Sequence, residues 1–413
     1  MEKRSQELTP GFKRALTSDV VGNRVCNFVT FNPNESNPGN DIRIVVPKLE
    51  PNTCIVPDSF RLSYEFKNEN TKSWFMNNLG KLLCERLMIR VGGEIVYDNN
   101  GESLIEVYKD LWKMGTKRAN MVEYGIMNEN TRKLLSKDDS ADQTAKTEGD
   151  YDLVMAKAYR EQKMKLGKIL NDHGPYAPYN MKSGFEYTVT LPKADKIMVA
   201  QANEKVEGHT LKNIHLEYET IENEGLAKRV NQGYEAGRSL SYEHTTLLKT
   251  TVWAKDATRF NESIDVPRES MRAIVLLFRK RTITDSEEYI FPSIEKVKVT
   301  IEGKPNAVYS RGLTTENLYD EAKRLFGIVN NTCNDNISVR KFYKDKFALV
   351  VDLRAVDDSH VVGSGKRLLG DNPGILLEIE TDGMTEDILC NIFVLSDGLI
   401  NISEKTLQGI STK

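Results

Sequence analysis

One unit of structure is written twice in this chain. Residues 87–115, LMIRVGGEIVYDNNGESLIEVYKDLWKMG, read as a short strand, a Gly92-Gly93 turn, a second strand, a loop marked by Gly101 and an amphipathic helix. Residues 297–327, VKVTIEGKPNAVYSRGLTTENLYDEAKRLFG, repeat that order, with Gly303 answering Gly93, Gly312 answering Gly101, and Leu318-Tyr319 answering Val107-Tyr108. A duplicated unit limits the fold more than any single motif, because both halves must then build the same supersecondary structure.

Matches on either side extend the repeat. Val56-Pro57 with Ser59-Phe60-Arg61 resembles Val266-Pro267 with Ser270-Met271-Arg272, and 36 residues separate Pro57 from Gly93 and Pro267 from Gly303 alike. Further on, LEYET (216–220) answers LEIET (377–381), with Phe185 and Phe347 standing 31 and 30 residues before them. Gly93 to Phe185 spans 92 residues against 44 for Gly303 to Phe347, so the first copy is expected to carry an insertion.

Between these blocks the pattern is that of strands. Phe60, Leu62, Tyr64 and Phe66 alternate, as do Phe185, Tyr187, Val189 and Leu191, and IHLEYETIE forms a strand near 214–222. In the second half TLLKTTVWA, AIVLLF (273–278), FALVVDL, ILLEIET and ILCNIFVL are strand-like. Helices are expected over 103–114, 119–135 and 151–170, with one more near 315–326. The polar stretch 137–150 reads as an exposed loop, and 224–237, ending NQGYEAG, as the boundary between halves. The expected organisation is a flexible arm over 1–24, a first β domain over 25–225 with a helical and polar insertion at about 117–171, and a second over 226–413. Each half offers about eight strands, which suits tandem antiparallel jelly-roll sandwiches.

Composition narrows the function. Among 413 residues, 57 basic and 60 acidic side chains balance, so no global field draws the chain to nucleic acid or membrane. No apolar run is long enough to span a bilayer, and the N-terminus lacks the apolar core of a signal peptide. Five scattered cysteines (26, 54, 84, 333 and 390) without a CxxC pair read as free thiols, and N-x-S/T sequons such as that at Asn261 as chance matches.

No catalytic, cofactor-binding or metal site emerges. Gly92-Gly93 lacks the spacing of a phosphate loop, and GSGK (363–366) lacks the preceding glycine of one. Asp352, Asp357, Asp358 and His360 have no nucleophile or paired base at a usable distance in sequence and read as a polar loop. His209 and His215, six apart, share a face of an unbroken strand but lack a third ligand. The five histidines (173, 209, 215, 244 and 360) do not follow a cupin spacing, so an enzyme is not expected.

The phrases themselves resemble a known family. LMIRVGGEIVYDNNGESLIEVYKDLW is similar to the first jelly roll of double jelly-roll major capsid proteins. SIDVPRESMRAIVLLF, VDLRAVDDSHVVGSGKRLLGDNPGILLEIE and IFVLSDGLINI resemble the second jelly roll of the Polinton (Maverick)/adintovirus-like branch, and the likeness covers about 25–410. It implies a structural virion protein without catalytic residue or cofactor, whose homotrimers form pseudo-hexameric capsomers in an icosahedral shell around double-stranded DNA. It also implies penton and other minor capsid proteins as partners, DNA enclosed without sequence-specific binding, and assembly inside the host cell. The insertion would form an outward loop. The alternative is a jelly-roll module that binds a glycan or receptor, or a minor capsid protein.

Overall fold

The two-residue alternation read along the sequence becomes the two faces of real strands. The computed structural model describes residues 23–402 and 407–410, apart from 32–33, 47–48, 70–71, 137–150, 170–184, 202–203, 237–238, 307–308, 310, 328–336, 356–363 and 370–373. The expected arm, the polar loop 137–150, His173, Cys333, Asp357, Asp358 and His360 therefore lie wholly or largely outside the described residues.

In chain order the strands are β1 (Asn23–Thr30), β2 (Asp41–Val45), β3 (Thr53–Ile55), β4 (Arg61–Asn68), β5 (Ser73–Phe75), β6 (Arg86–Val91), β7 (Glu94–Asn99), β8 (Glu161–Lys165), β9 (Phe185–Thr190), β10 (Met198–Ala200) and β11 (His209–Glu222). There follow β12 (Ser239–Trp253), β13 (Arg259–Ile264), β14 (Arg268–Lys280), β15 (Ile294–Ile301), β16 (Lys304–Pro305), β17 (Leu313–Thr314), β18 (Ala348–Asp352), β19 (Lys366–Leu368), β20 (Ile375–Thr381), β21 (Ile388–Ile402) and β22 (Leu407–Ile410). Two compact units emerge. Of the described residues, one holds those up to Asp98, Met121–Glu243 and those from Gly398 to Ile410; the other holds Asn99–Asn120 and His244–Asp397.

The first unit has a sheet ordered β1-β11-β4-β8, with β3 also on β11, and a second ordered β2-β9-β6-β7. The alternating sets Leu62, Tyr64, Phe66 and Phe185, Tyr187, Val189, Leu191 are all buried, as their spacing demands. Phe60, at the mouth of β4, stacks on Tyr218 of its own sheet and reaches Tyr187 of the other, with ring centroids 5.4 and 6.0 Å away. That contact closes the sandwich.

The second unit is built on sheets ordered β12-β21-β14-β18 and β13-β20-β15-β16. Its central strand β14 is fully buried at every position from 273 to 278. A strand buried on both faces needs cover on both sides. The helices Glu102–Leu111, Thr315–Phe326 and Val339–Asp345 contribute to the same apolar core through Ile105, Tyr108, Leu111, Leu318, Ala322 and Phe342. Gly101 opens the first of these helices where a Cβ would come within 2.8 Å of Phe393 and 3.0 Å of Leu247, so only glycine admits that approach.

Strand by strand the two units have one topology. With the eight main strands of each counted in chain order, the first sheet runs first-eighth-third-sixth and the second runs second-seventh-fourth-fifth, in both units. The repeated hairpin is the fourth and fifth strands each time. Its turn has positive φ at both central residues, Gly92 (63°) and Gly93 (86°) in one, Glu302 (51°) and Gly303 (75°) in the other. This is the backbone a two-residue hairpin needs to match strand twist.

Four readings are corrected. LEYET lies in β11, an eighth strand, and LEIET in β20, a seventh, so they are not counterparts; nor are Phe185 in β9 and Phe347 beside β18. The expected helix over 151–170 stops at Ala158, because Glu161–Lys165 pairs with β4 as the sixth strand, with Gln162 and Met164 turned inward. The expected helix over 119–135 is broken into Gly115–Ala119, a 3-10 turn Val122–Tyr124 and Glu129–Leu135, with Gly125 at φ 78° and Asn128 capping the last by accepting from the Thr131 N–H. The polar stretch after 223 is a helix, Glu224–Glu235, capped by Asn223 and burying Leu226, Ala227, Val230 and Tyr234 on one stripe.

Tyr108 ties the helix Glu102–Leu111 into the second unit. Its ring is fully buried edge-on to Tyr289 and Phe326, and its hydroxyl donates to the Lys346 carbonyl at 3.2 Å. Tyr108→Ala should cost about 3–5 kcal/mol of unfolding free energy, and Tyr108→Phe only about 0.5–1.5 kcal/mol. Denaturant midpoints of the two variants check the difference.

Candidate functional site

The residues singled out from the sequence separate once the strands are in place. Asp352 at the end of β18 is buried and held by the Arg354 guanidinium through contacts of 2.6 to 3.2 Å, while its backbone meets the Tyr309 hydroxyl. That hydroxyl donates to Glu321 at 2.7 Å, which pins the helix Thr315–Phe326 to the sheet. This is an anchoring network. Within GSGK, the Gly365 N–H donates to Ser270 at 3.0 Å and a Cβ there would strike the Met271 backbone at 2.6 Å, so Gly365 and Lys366 lie against β14 rather than cradling an anion. Gly92-Gly93 is a hairpin turn. The four described cysteines are free thiols, and burial pushes Cys54 up to about 12, out of reach of redox chemistry at neutral pH.

His209 and His215 do not share a face. Asn213 has φ 51°, and the pairing of β11 with β4 slips between Lys212 and His215, so an extra residue inverts the alternation. His209 turns inward, fully buried and stacked on Phe66 at 4.9 Å, with neither ring nitrogen hydrogen-bonded. His215 turns to the face away from the sandwich core, where it meets two carboxylates, Glu161 on β8 at 3.3 Å and Glu217 on β11 at 3.2 Å. These three are the one group of metal-ligating side chains so clustered among the described residues. Burial works against the charge of Glu217, but hydrogen bonds from Lys163, Ser63 and His215, with the charge of Lys163, outweigh it and hold its pKa below the usual range. Sequence reasoning missed this group because Glu161 stood in an expected helix.

The other outward feature is apolar. Phe28, Val45 and Ile95 in the first unit and Val252, Leu376 and Val339 in the second are large side chains left exposed, most of them on strands. Edge strands carrying such residues are ready to pair or pack with another chain. No helix among the described residues is long and apolar enough to cross a membrane.

The strand order decides the architecture. The fold is a double jelly roll. No protein-family model matches the sequence, and no curated protein does. Solved structures do. The chain is similar to VP54 of the virus PBCV-1, as fitted into a reconstruction of the virophage Sputnik, at TM-score 0.58 and 10% identity over 94% of this chain and 96% of that one. It is similar to the Faustovirus major capsid protein at 0.53 and 9% over 97% and 98%, and to the mavirus major capsid protein at 0.52 and 10% over 91% and 87%. Identities so low speak for a shared double jelly roll.

The buried His209 gives the chain an acid sensitivity. Burial lowers its pKa to about 4. In the unfolded chain it titrates near ~6.5, so between those values the unfolded state takes up a proton that the folded state refuses. Stability therefore falls as pH drops from about 6.5 towards 4, by up to about 3 kcal/mol at the lower end. His209→Phe, which keeps the stacking on Phe66, should flatten that part of a plot of unfolding free energy against pH.

Proposed function

We propose that this protein is a structural virion protein, the major capsid protein of a double-stranded DNA virus or virus-like element. The observation that carries the reading is the identical strand order of two jelly rolls in one chain. The end-to-end likeness to capsid proteins supports it. A doubled sandwich has a physical use in a shell. Three chains supply six similar domains, so a trimer fills a six-fold position while its two kinds of domain diverge.

In this reading the chain forms a homotrimeric, pseudo-hexameric capsomer that tiles an icosahedral capsid around DNA, alongside penton and other minor capsid proteins. The two jelly rolls are taken as 25–225 and 226–413; the compact units depart from those bounds in that Asn99–Asn120, with the helix Glu102–Leu111, goes with the second and the residues up to Glu243 and from Gly398 to Ile410 with the first. Outside the sheet strand β8, the connection across 117–171 supplies an outward loop. The balanced charge suits a container that encloses DNA without reading its sequence. The sequence phrases favour the Polinton/adintovirus-like branch. The role is structural rather than catalytic.

Size-exclusion chromatography with light scattering tests the assembly. An obligate trimer burying ~2,000–5,000 Å² at its interfaces should elute at three chains and persist on dilution, and negative-stain images should show pseudo-hexagonal capsomers. A stable monomer at micromolar concentration across salt and pH would overturn the reading.

A further inference from the structure

We propose that Glu161, His215 and Glu217 bind one divalent transition-metal ion of the zinc class on the outer face of the first unit's β1-β11-β4-β8 sheet. The place is set by the backbone. Glu161 lies on β8, His215 and Glu217 on β11, with β4 between them, so the two outer strands are about 10 Å apart. Directly between His215 and Lys163 in the ladder stands Ser63, whose short side chain lets Glu161 and His215 meet above β4. The bulge at Asn213 turns His215 outward, and Glu217, two residues on, shares its face.

The imidazole geometry then calls for a cation. Nδ1 lies 2.9 Å from the Asn213 carbonyl oxygen, which can only accept, so Nδ1 carries hydrogen. With Nδ1 so engaged, Nε2 is left either to donate a hydrogen to the carboxylates or to offer its lone pair to a cation between them. It faces carboxylate oxygens of Glu161 and Glu217 at 3.3 and 3.2 Å, so three electron-rich atoms point at one another. A metal ion held among them makes this arrangement favourable, as a proton on Nε2 would, and the two are told apart by titration with metal. A backbone carbonyl fixing Nδ1–H while Nε2 faces inward is also how metal-bound histidines are held.

The distances fit a metal. In a tetrahedral site with ligands at ~2.0–2.1 Å, neighbouring ligand atoms stand about 3.3–3.4 Å apart. The two separations from Nε2 match, and all three ligand atoms lie within 4.8 Å of one another. Lys163 holds the far oxygen of Glu217, Oε2, at 3.0 Å and leaves Oε1 to the site. One nitrogen and two carboxylate oxygens, with Glu161 half exposed so that water can complete the shell, suit Zn²⁺ or Co²⁺ better than calcium, which takes six to eight oxygens. Bound there, the ion would strap β8 to β11 across β4.

Isothermal titration of the purified full chain with ZnCl2 at pH 7.5, paired with thermal unfolding, tests the proposal. The wild type should bind with a component of one ion per chain and unfold at higher temperature with zinc present. His215→Ala and Glu217→Gln should weaken that component at least tenfold and abolish the thermal shift. Glu161→Gln alters only a partly exposed side chain, so it keeps the test valid should the other two fail to fold, and it should weaken binding in the same direction. Co²⁺ should give the visible absorption of a four-coordinate nitrogen-oxygen site in the wild type and lose it in Glu161→Gln. If zinc affinity, stoichiometry and thermal shift are the same in wild type and variants, or the wild type binds no zinc at tens of micromolar, the positive charge is a proton on His215 and the proposal fails.

Discussion

The second unit depends on how β14 is covered. A strand whose residues 273–278 are all fully buried has no solvent face, so apolar surface must be supplied on both sides of its sheet. Sandwich partners supply one side, as where Trp253 stacks on Phe260 at 3.9 Å and packs against Phe278. The other need is met by helices drawn from the long connections after the fifth strands. The helix Glu102–Leu111 comes from the first copy of the repeat and Thr315–Phe326 from the second, yet both pack in the second unit, with Trp112 6.0 Å from Tyr319 and Tyr108 5.3 Å from Phe326. The two echoes in the sequence are thus neighbours in one core.

How much of this the sequence disclosed follows from what each signal measures. Period-two alternation reports a strand with one buried face, and Phe60 to Phe66 and Phe185 to Leu191 show it without ambiguity. The glycine turn was legible for the same kind of reason: positive φ at Gly93 and Gly303 costs other residues strain. Alternation does not say which strand is which. LEYET and LEIET look alike because each is a half-buried strand of its sandwich, and that likeness carries no topology. Glu161–Lys165, EQKMK, has poor intrinsic strand preference; pairing with β4 and burial of Gln162 and Met164 overrule it. In Glu224–Glu235 the polar face outvoted four buried residues at helical spacing.

The cluster on the outer sheet face was hidden for two separate reasons. Its carboxylate Glu161 belongs to that strand of poor propensity. Its histidine reaches the outer face only because one extra residue at Asn213 reverses the parity of β11. Counting from His209 by twos puts His215 in the core, which is the wrong side. A bulge leaves little trace in sequence here, since Asn tolerates the left-handed backbone without being required by it.

The divergence of the two halves follows from the same packing. The third strands β4 and β14 hold equivalent positions, but β14 is apolar throughout its middle while β4 alternates, presenting Arg61, Ser63 and Glu65 away from the core. On the first sheet the segments packed against β4 and β8 meet it through polar groups, the Tyr124 hydroxyl on Arg61 and Glu123 on Lys163, so the outward side chains of these strands are polar. A network of charges fills that outer face: Arg24 with Glu219, Lys163 with Glu217 and Glu123, Lys165 with Asp58. Ion pairs near a surface add little stability each, so these charges do not replace the apolar packing that holds β14. One strand order therefore yields two different third strands, β14 apolar on both faces and β4 apolar on one face and polar on the other.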